Sequence, residues 1–396
     1  MQDGNNRLRV LHTISGIWKH TGGPAITVPR LCSALVKKGI DVILATLDGP
    51  LSEAAIESRK DGVDLRTYSH YWQCSLKIIS AIREIAKTVD IVHGHGLWLP
   101  TNWVTGYYAI KENKPFVITT RGALNPNALL HSRWKKKVAG YLFDNRNLRF
   151  ADCIHVTSIG EYEAIRIYDL SNPVAVIPNG LDIKKFMSLP PRDALIKRYP
   201  MLAGKRILLF LSRISWEKGL VELAESWDSI SPEFGDWALL IVGDGKLRYV
   251  SQLKERFAVG KGKDRVIWTG ILTGPEKYEV YAAADLFVLP SHTENFSLVT
   301  AEALAAGVPV ITTQGTPWAE LVERECGWWV PLGTDHLTSA LREAMNLSDA
   351  ARQKMGENAR RLIEEKYTWD RIAEEMIAVY RWMLHDGALP DCVKLD

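Results

Sequence analysis

Two doubly wound α/β domains in tandem are what this 396-residue sequence predicts, and three observations predict them. Short apolar runs rich in Val, Ile and Leu alternate with helix-like stretches along the whole chain, the pattern of parallel sheets buried on both faces. The alternation falls into two series, parted by a break at Pro178-Asn179-Gly180, where Pro, Asn and Gly in succession interrupt regular structure. The length exceeds one small core and suits two domains of roughly 150–200 residues each. In such sheets a ligand sits beyond the carboxyl ends of the strands.

In the first series the strands read as 9–14, 41–46, 90–93, 116–120, 153–157 and 174–177, with helices such as 26–38 and 76–87 between them. After the break, 182–200 is polar, carries Pro190 and Pro191, and reads as a linker with a short helix. The second series has strands at 206–211, 238–242, 266–269, 286–289 and 308–312 and helices at 220–226, 246–257 and 299–306. The stretch 369–384 is an apolar-periodic helix rich in Trp, Tyr and Met. Such a helix needs a surface to cover, and the first domain is the expected one. The expected domains are therefore 1–178 with the tail 369–396, and 182–368. There is no internal repeat and no low-complexity tract.

Apolar residues at 46% and charged residues at 24% exclude a disordered or fibrous chain. No run of about 18 uncharged apolar residues predicts a transmembrane helix. The polar start leads directly into the first strand, without the apolar stretch of a signal peptide. Five scattered cysteines, never Cys-x-x-Cys, fit a reducing compartment rather than a disulfide framework or zinc site. A cytoplasmic location is expected. The net charge of +3 is uneven: residues 1–180 carry +7 and the remainder −4. The first half suits anionic surfaces or substrates, although uneven surface composition explains the charge equally well. No nucleic-acid partner is expected.

Four segments lie where strands meet helices. Ser291 to Glu302 opens a helix after a strand; its unpaired amides suit a hydroxyl-rich or anionic ligand. Glu294 and Glu302 there are acceptors for vicinal hydroxyls, or a helix cap and a solvated helix residue. Arg213 and Lys218 follow the first strand of the second domain and can neutralise a diphosphate, or lie as surface charges. Val242-Gly243-Asp244-Gly245 lets a flat base or phosphate approach the backbone, or is a plain tight turn. Thr21-Gly22-Gly23-Pro24 precedes a helix and can cradle phosphate, or is a flexible connection.

Together, and in this order, the Gly-Gly-Pro loop, the Ile177-to-Asp182 hinge, the Arg213/Lys218 pair, the Val-Gly-Asp-Gly turn and the Glu294/Glu302 pair resemble the GT4 family of retaining glycosyltransferases. The resemblance covers nearly the whole chain and implies the GT-B fold, two Rossmann-like domains facing a cleft. It implies that Arg213 and Lys218 grip a donor pyrophosphate and that Glu302 binds ribose hydroxyls. Glu294, with the amides of Asn295, Phe296 and Ser297, would hold the donor sugar. Gly22 and Gly23 would lie near the phosphates or the acceptor, and Gly243 and Gly245 near the base. Tyr367-Thr368-Trp369 resembles the start of the family's crossover helix.

The first domain would hold the acceptor. His95 in His93-Gly94-His95 either hydrogen-bonds a reacting hydroxyl or donor sugar, or is a structural histidine. The pair has no third ligand nearby in sequence, so no metal is expected. Where many family members carry a His after the next strand, this chain has Arg121, which suggests a cation against phosphate or an acidic acceptor. The stretch from Arg121 to Lys137 resembles enzymes of bacterial surface-polysaccharide gene sets. Trp134-Lys135-Lys136-Lys137 reads as a contact for an anionic membrane surface or as a solvated helix face.

The sequence has no Asp-x-Asp, so a metal-bridged diphosphate is not supported, and no cofactor is expected beyond a nucleotide sugar as co-substrate. The expected function is retaining, metal-independent transfer of a sugar from a nucleoside diphosphate to a hydroxyl of a glycan or lipid-linked saccharide, in surface-polysaccharide synthesis, in the cytoplasm or at the inner face of the membrane. A nucleotide-sugar 2-epimerase of the same fold and a non-catalytic sugar-binding scaffold are the alternatives. A dinucleotide-dependent oxidoreductase fails on the missing Gly-x-Gly-x-x-Gly.

Overall fold

The computed structural model describes residues 7–395 except 20, 72, 73, 131 and 132. The chain divides into two compact units, Met1–Gly180 with Trp369–Asp396, and Leu181–Thr368. In chain order the first unit contributes β1 (Arg9–Ile14), β2 (Asp41–Leu47), β3 (Asp64–Tyr68), β4 (Ile91–His95), β5 (Phe116–Thr119), β6 (Cys153–Val156) and β7 (Val174–Val176). The second contributes β8 (Arg206–Leu211), β9 (Trp237–Val242), β10 (Val266–Gly270), β11 (Leu286–Leu289), β12 (Val310–Thr313) and β13 (Gly327–Val330). A short β14 (Val393–Lys394) returns to the first unit.

The first sheet runs β14-β7-β6-β5-β4-β1-β2-β3. All neighbours are parallel except β14, which pairs antiparallel with β7. Alternate side chains serve opposite faces, as strand geometry requires. Val10, Val42, Ile91, Val117, Cys153 and Ala175 build one core against the helices Pro24–Lys37 and Trp369–Met383. Leu11, Ile43, Val92, Ile118 and Ile154 build the other, with Ile78 and Ile82 of Leu76–Ala86 and Val104 of Pro100–Lys111. The terminal helix inserts Ile372, Met376, Val379 and Tyr380, all buried, so the tail completes the first core.

The second sheet is wholly parallel in the order β10-β9-β8-β11-β12-β13. Its core joins Leu208, Leu239 and Phe287 of the strands to Leu223 and Trp227 of helix Leu220–Ile230. The stretch 182–200 belongs to the second unit, where Phe186 and Leu195 join its core, and it folds as two short helices, Lys184–Met187 and Asp193–Arg198, rather than one.

Three strands depart from the sequence expectation. β3 is a polar-apolar edge strand, Asp-Leu-Arg-Thr-Tyr, without the apolar run that marks its neighbours. β13 carries two tryptophans at the opposite edge of its sheet, and β14 is only two residues long. β4 also extends to His95, which places both of its histidines inside the strand.

Candidate active site

In the second unit the chemistry gathers beyond the carboxyl ends of β8 and β11. Lys218 Nζ donates to Glu294 Oε1 at 2.5 Å, with both side chains more than four-fifths buried. Ser291 Oγ donates to the same oxygen at 3.1 Å. The loop is held by Glu294 N donating to Gly315 O at 2.8 Å and His292 N to Glu217 O at 2.7 Å. Gly219, at φ +67°, lets this approach happen: a Cβ there would lie 2.0 Å from the Pro290 carbonyl oxygen. Arg213 is exposed two residues beyond β8. Glu217 is held below the usual carboxylate range; burial opposes the shift, and Ser215 together with the Arg213 and Lys218 charges outweighs it.

Ser297 adopts φ +66° immediately before helix Leu298–Ala305. A non-glycine residue in that region is strained, and such strain concentrates at functional sites. Phe296 points its ring into the core against Trp318 and Tyr367, and its carbonyl accepts from Trp318 Nε1 at 2.6 Å. Only its backbone therefore faces the loop. Glu302 has both oxygens engaged: Lys277 Nζ donates at 2.6 Å and Tyr281 Oη at 2.7 Å. Lys277 and Tyr281 escape the sequence reading; their only signal is a spacing of four on helix Pro275–Ala283, which faces them together. His292, bonded to Glu222 at 2.8 Å and edge-on to Trp216, is likewise new.

The Val-Gly-Asp-Gly turn packs closely against the loop after β8. Cβ atoms at Gly243 and Gly245 would lie 1.9 Å from the Ser212 and Ile214 carbonyl oxygens. The space left by the missing side chains is filled by the neighbouring loop, with Ile214 N donating to Asp244 O at 2.8 Å. These glycines let the two loops dock against each other. Gly22 differs: at φ +81° it has nothing within 4 Å of its Cβ position. Gly23 caps helix Pro24–Lys37, whose first turn contains the proline expected there.

In the first unit a polar row crosses the sheet on the face covered by the terminal helix. His12 on β1, His93 and His95 on β4, Thr119 on β5 and His155 on β6 meet Tyr380 of that helix, and all are buried. His12 Nδ1 lies 2.9 Å from His95 Nε2 and His12 Nε2 3.2 Å from Tyr380 Oη. His93 Nδ1 lies 2.7 Å from Tyr380 Oη and His93 Nε2 2.7 Å from Thr119 Oγ1. Thr119 Oγ1 lies 2.9 Å from His155 Nδ1, and His155 Nε2 lies 2.9 Å from Ile177 O. Arg121, at φ +52°, donates to His95 Nδ1 at 3.3 Å, Thr27 Oγ1 at 3.2 Å and Asn179 Oδ1 at 2.9 Å.

Burial first, then the Arg121 and His155 charges, push His12 down to about 3; burial and Arg121 do the same to His155. Burial also holds His93 and His95 well below the usual imidazole value, so all four stay neutral at ordinary pH. Burial lowers Arg121 to about 10, against the pull of Glu161, and it remains a cation.

Two sequence expectations fail here. His95 is 1% exposed with both ring nitrogens engaged, so it does not present a nitrogen to a reacting hydroxyl. The histidine pair does have a third imidazole beside it, since ring nitrogens of His12, His93 and His95 all lie within 4.8 Å of one another. His12 is 81 residues upstream of His93, and only the pairing of β1 with β4 joins them.

The basic cluster lies on helix Arg133–Ala139. Trp134 and Val138 are exposed, as is Tyr141 just beyond, while Lys136 Nζ turns back to the Ala128 carbonyl. The side chains of Lys135 and Lys137 lie outside the described residues. No helix among the described residues is long and apolar enough to cross a membrane.

Residues 191–362 match the family model described as "Glycosyl transferases group 1", and residues 21–185 that described as "Glycosyltransferase Family 4". An uncharacterized glycosyltransferase of Methanocaldococcus jannaschii is 26% identical over 391 residues, covering 91% of this chain and 94% of its own. The alpha-monoglucosyldiacylglycerol synthase of Streptococcus pneumoniae is 30% identical across 66% of this chain and 60% of its own. Among solved structures, Anabaena HepE in complex with UDP and glucose aligns with a TM-score of 0.74 at 18% identity, over 94% of this chain and 99% of that one.

Proposed function

Since the chain belongs to the family 4, group 1 glycosyltransferases, we propose that it takes a sugar from a nucleoside diphosphate and places it on a hydroxyl of a lipid-linked or glycan acceptor, with retention and without metal. The observation that carries the donor half is the buried Lys218–Glu294 pair at the carboxyl ends of β8 and β11. Its carboxylate holds the ammonium in place in a partly dry site. An incoming diphosphate competes for Lys218 and frees Glu294 oxygens to accept sugar hydroxyls. Arg213 adds the planar fork that suits phosphate. As the glycosidic bond breaks, negative charge builds on the departing phosphate, where these cations and the amides around strained Ser297 stabilise it. The UDP complex of the structural neighbour supports a nucleotide-sugar donor.

Attack of the acceptor on the same face as the leaving phosphate is the course that the family resemblance implies. Arg121 is the cation for an anionic group of the acceptor or donor. The absent Asp-x-Asp motif and the paired cations motivate metal independence. A lipid acceptor fits the glycolipid in the name of the pneumococcal relative, a monoglucosyldiacylglycerol synthase, and the exposed aromatic residues Trp134 and Tyr141 in a stretch of basic sequence.

The test is thermal stabilisation by a panel of UDP-, GDP- and ADP-sugars, because a ligand bound only to the native state raises its melting temperature. One nucleotide class should stabilise the protein in chelator. Stabilisation by none refutes the donor assignment, and stabilisation only with added magnesium or manganese refutes metal independence. Release of nucleoside diphosphate that requires added acceptor separates transfer from epimerisation.

A further inference from the structure

We infer that the buried histidines form one proton-ordered hydrogen-bond chain that positions Arg121; the functional value of that cation rests on the reading above. The chain has seven links, from Arg121 through His95, His12, Tyr380, His93, Thr119 and His155 to the Ile177 carbonyl. Its direction is fixed independently at each end. A guanidinium can only donate, so His95 Nδ1 accepts and the neutral ring carries its proton on Nε2. That proton goes to His12 Nδ1, which places the proton of His12 on Nε2, facing the Tyr380 oxygen. From the other end, a carbonyl can only accept, so His155 donates from Nε2 and accepts at Nδ1 from the Thr119 hydroxyl. Thr119 then accepts from His93 Nε2, and His93 Nδ1 accepts from the Tyr380 hydroxyl.

The two derivations meet at Tyr380 without conflict: its oxygen accepts from His12 and its proton goes to His93. Each group between the ends donates once and accepts once along the chain. All four imidazoles are neutral and carry their proton on Nε2. A bound metal would have to displace these links, because the nitrogens that would ligate it are already paired. The geometry turns an acceptor, not a donor, from His95 toward Arg121, and so holds the guanidinium beyond the end of β5. His12, His93, His155, Thr119 and Tyr380 are positioning residues in this arrangement.

The logic gives a test that needs no substrate, so its failure is distinct from failure of the donor assignment. Full-length protein labelled with 15N-histidine is observed by long-range proton–nitrogen correlation. Four of the ten histidines should be Nε2–H tautomers that do not titrate between pH 5 and 8. Tyr380→Phe cuts the chain but leaves each piece pinned at one end, so the four tautomers should persist. Arg121→Met removes one end, and the Ile177 carbonyl should still hold all four. In the double variant the His12–His95 pair is pinned by neither, and two of the four signals should move to Nδ1–H or to a mixture while the other two stay. An Nδ1–H or charged ring among the four in the wild type overturns the inference, and that spectrum suffices alone if a variant does not fold. So does a single substitution that already redistributes the pair, or co-purifying metal whose removal shifts these signals.

Discussion

Lys218 is held 2.5 Å from Glu294, and Arg213 stands exposed nearby in sequence, beyond the same strand. If both neutralise the leaving diphosphate, Lys218→Ala and Arg213→Ala each lower kcat by about 10²–10³, the usual cost of losing one group that stabilises charge in a transition state. Arg213→Ala should leave the melting temperature unchanged, since the side chain is exposed; near-normal turnover in either variant removes the assignment. A second residue gives a pH dependence. Asp144 is 2% exposed, and burial raises its carboxyl to about 6, partly offset by a backbone hydrogen bond from Trp98. The folded state therefore binds its proton more tightly than the unfolded state does. Its contribution favours folding below the ordinary carboxylate range and is lost as pH rises from about 4 through about 6. A shift of this size corresponds to roughly 3 kcal/mol at neutral pH. Asp144→Asn should raise the melting temperature at pH 7.5 and change it little at pH 4.5, as read by calorimetry at the two values. Of these residues, Lys218 and Glu294 were legible because each follows a strand in a loop of unusual composition. Asp144 was not, because nothing in Tyr-Leu-Phe-Asp-Asn tells which side the backbone will bury.

At the scale of elements, the apolar strands were read within a few residues because burial on both faces leaves only apolar choices. β3 and β14 escaped because edge strands are not bound by that rule. The polar row escaped for a different reason. His12, Thr119 and His155 each look like an isolated exception within their own strand and the His93/His95 pair like a local feature of β4, and they become one object only when β6, β5, β4 and β1 lie side by side. Helix Arg133–Ala139 carries a prediction of its own. Trp134, Val138 and the following Tyr141 are spaced by four and three residues, which puts them on one face, and all three are exposed. With Lys135 and Lys137 in the same turn of sequence, this face should bind vesicles containing anionic lipid reversibly, at about 1 kcal/mol per basic residue near the surface. Changing Lys135, Lys136 and Lys137 to Glu should abolish co-sedimentation at low salt, and high salt should do the same to the wild type. Equal sedimentation of both proteins at low salt contradicts the membrane reading.

For the whole molecule, the boundary at Gly180/Leu181 falls at the end of the Pro-Asn-Gly break, and the return of the tail to the first unit follows from an apolar-periodic helix that had to cover something. Ending the chain at Thr368 removes Ile372, Met376, Val379 and Tyr380 from the first core and β14 from the edge of β7. Losses of several buried large side chains at 2–5 kcal/mol each exceed the stability of an ordinary domain. The truncated protein should therefore lose the calorimetric transition of the first unit and keep that of Leu181–Thr368, with proteolysis confined to residues before the boundary. A single surviving transition of full size contradicts this. The same discontinuity orders events during translation. Leu181–Thr368 is contiguous and can close once its last residues clear the ribosome, whereas the first unit waits for a helix encoded after the whole of the second unit. For the time needed to make some two hundred residues, at about 5–20 residues per second, the amino-terminal sheet stands with one face covered by helix Pro24–Lys37 but not by the terminal helix, so the half that is synthesised first is the last to be finished and the one that most needs a chaperone.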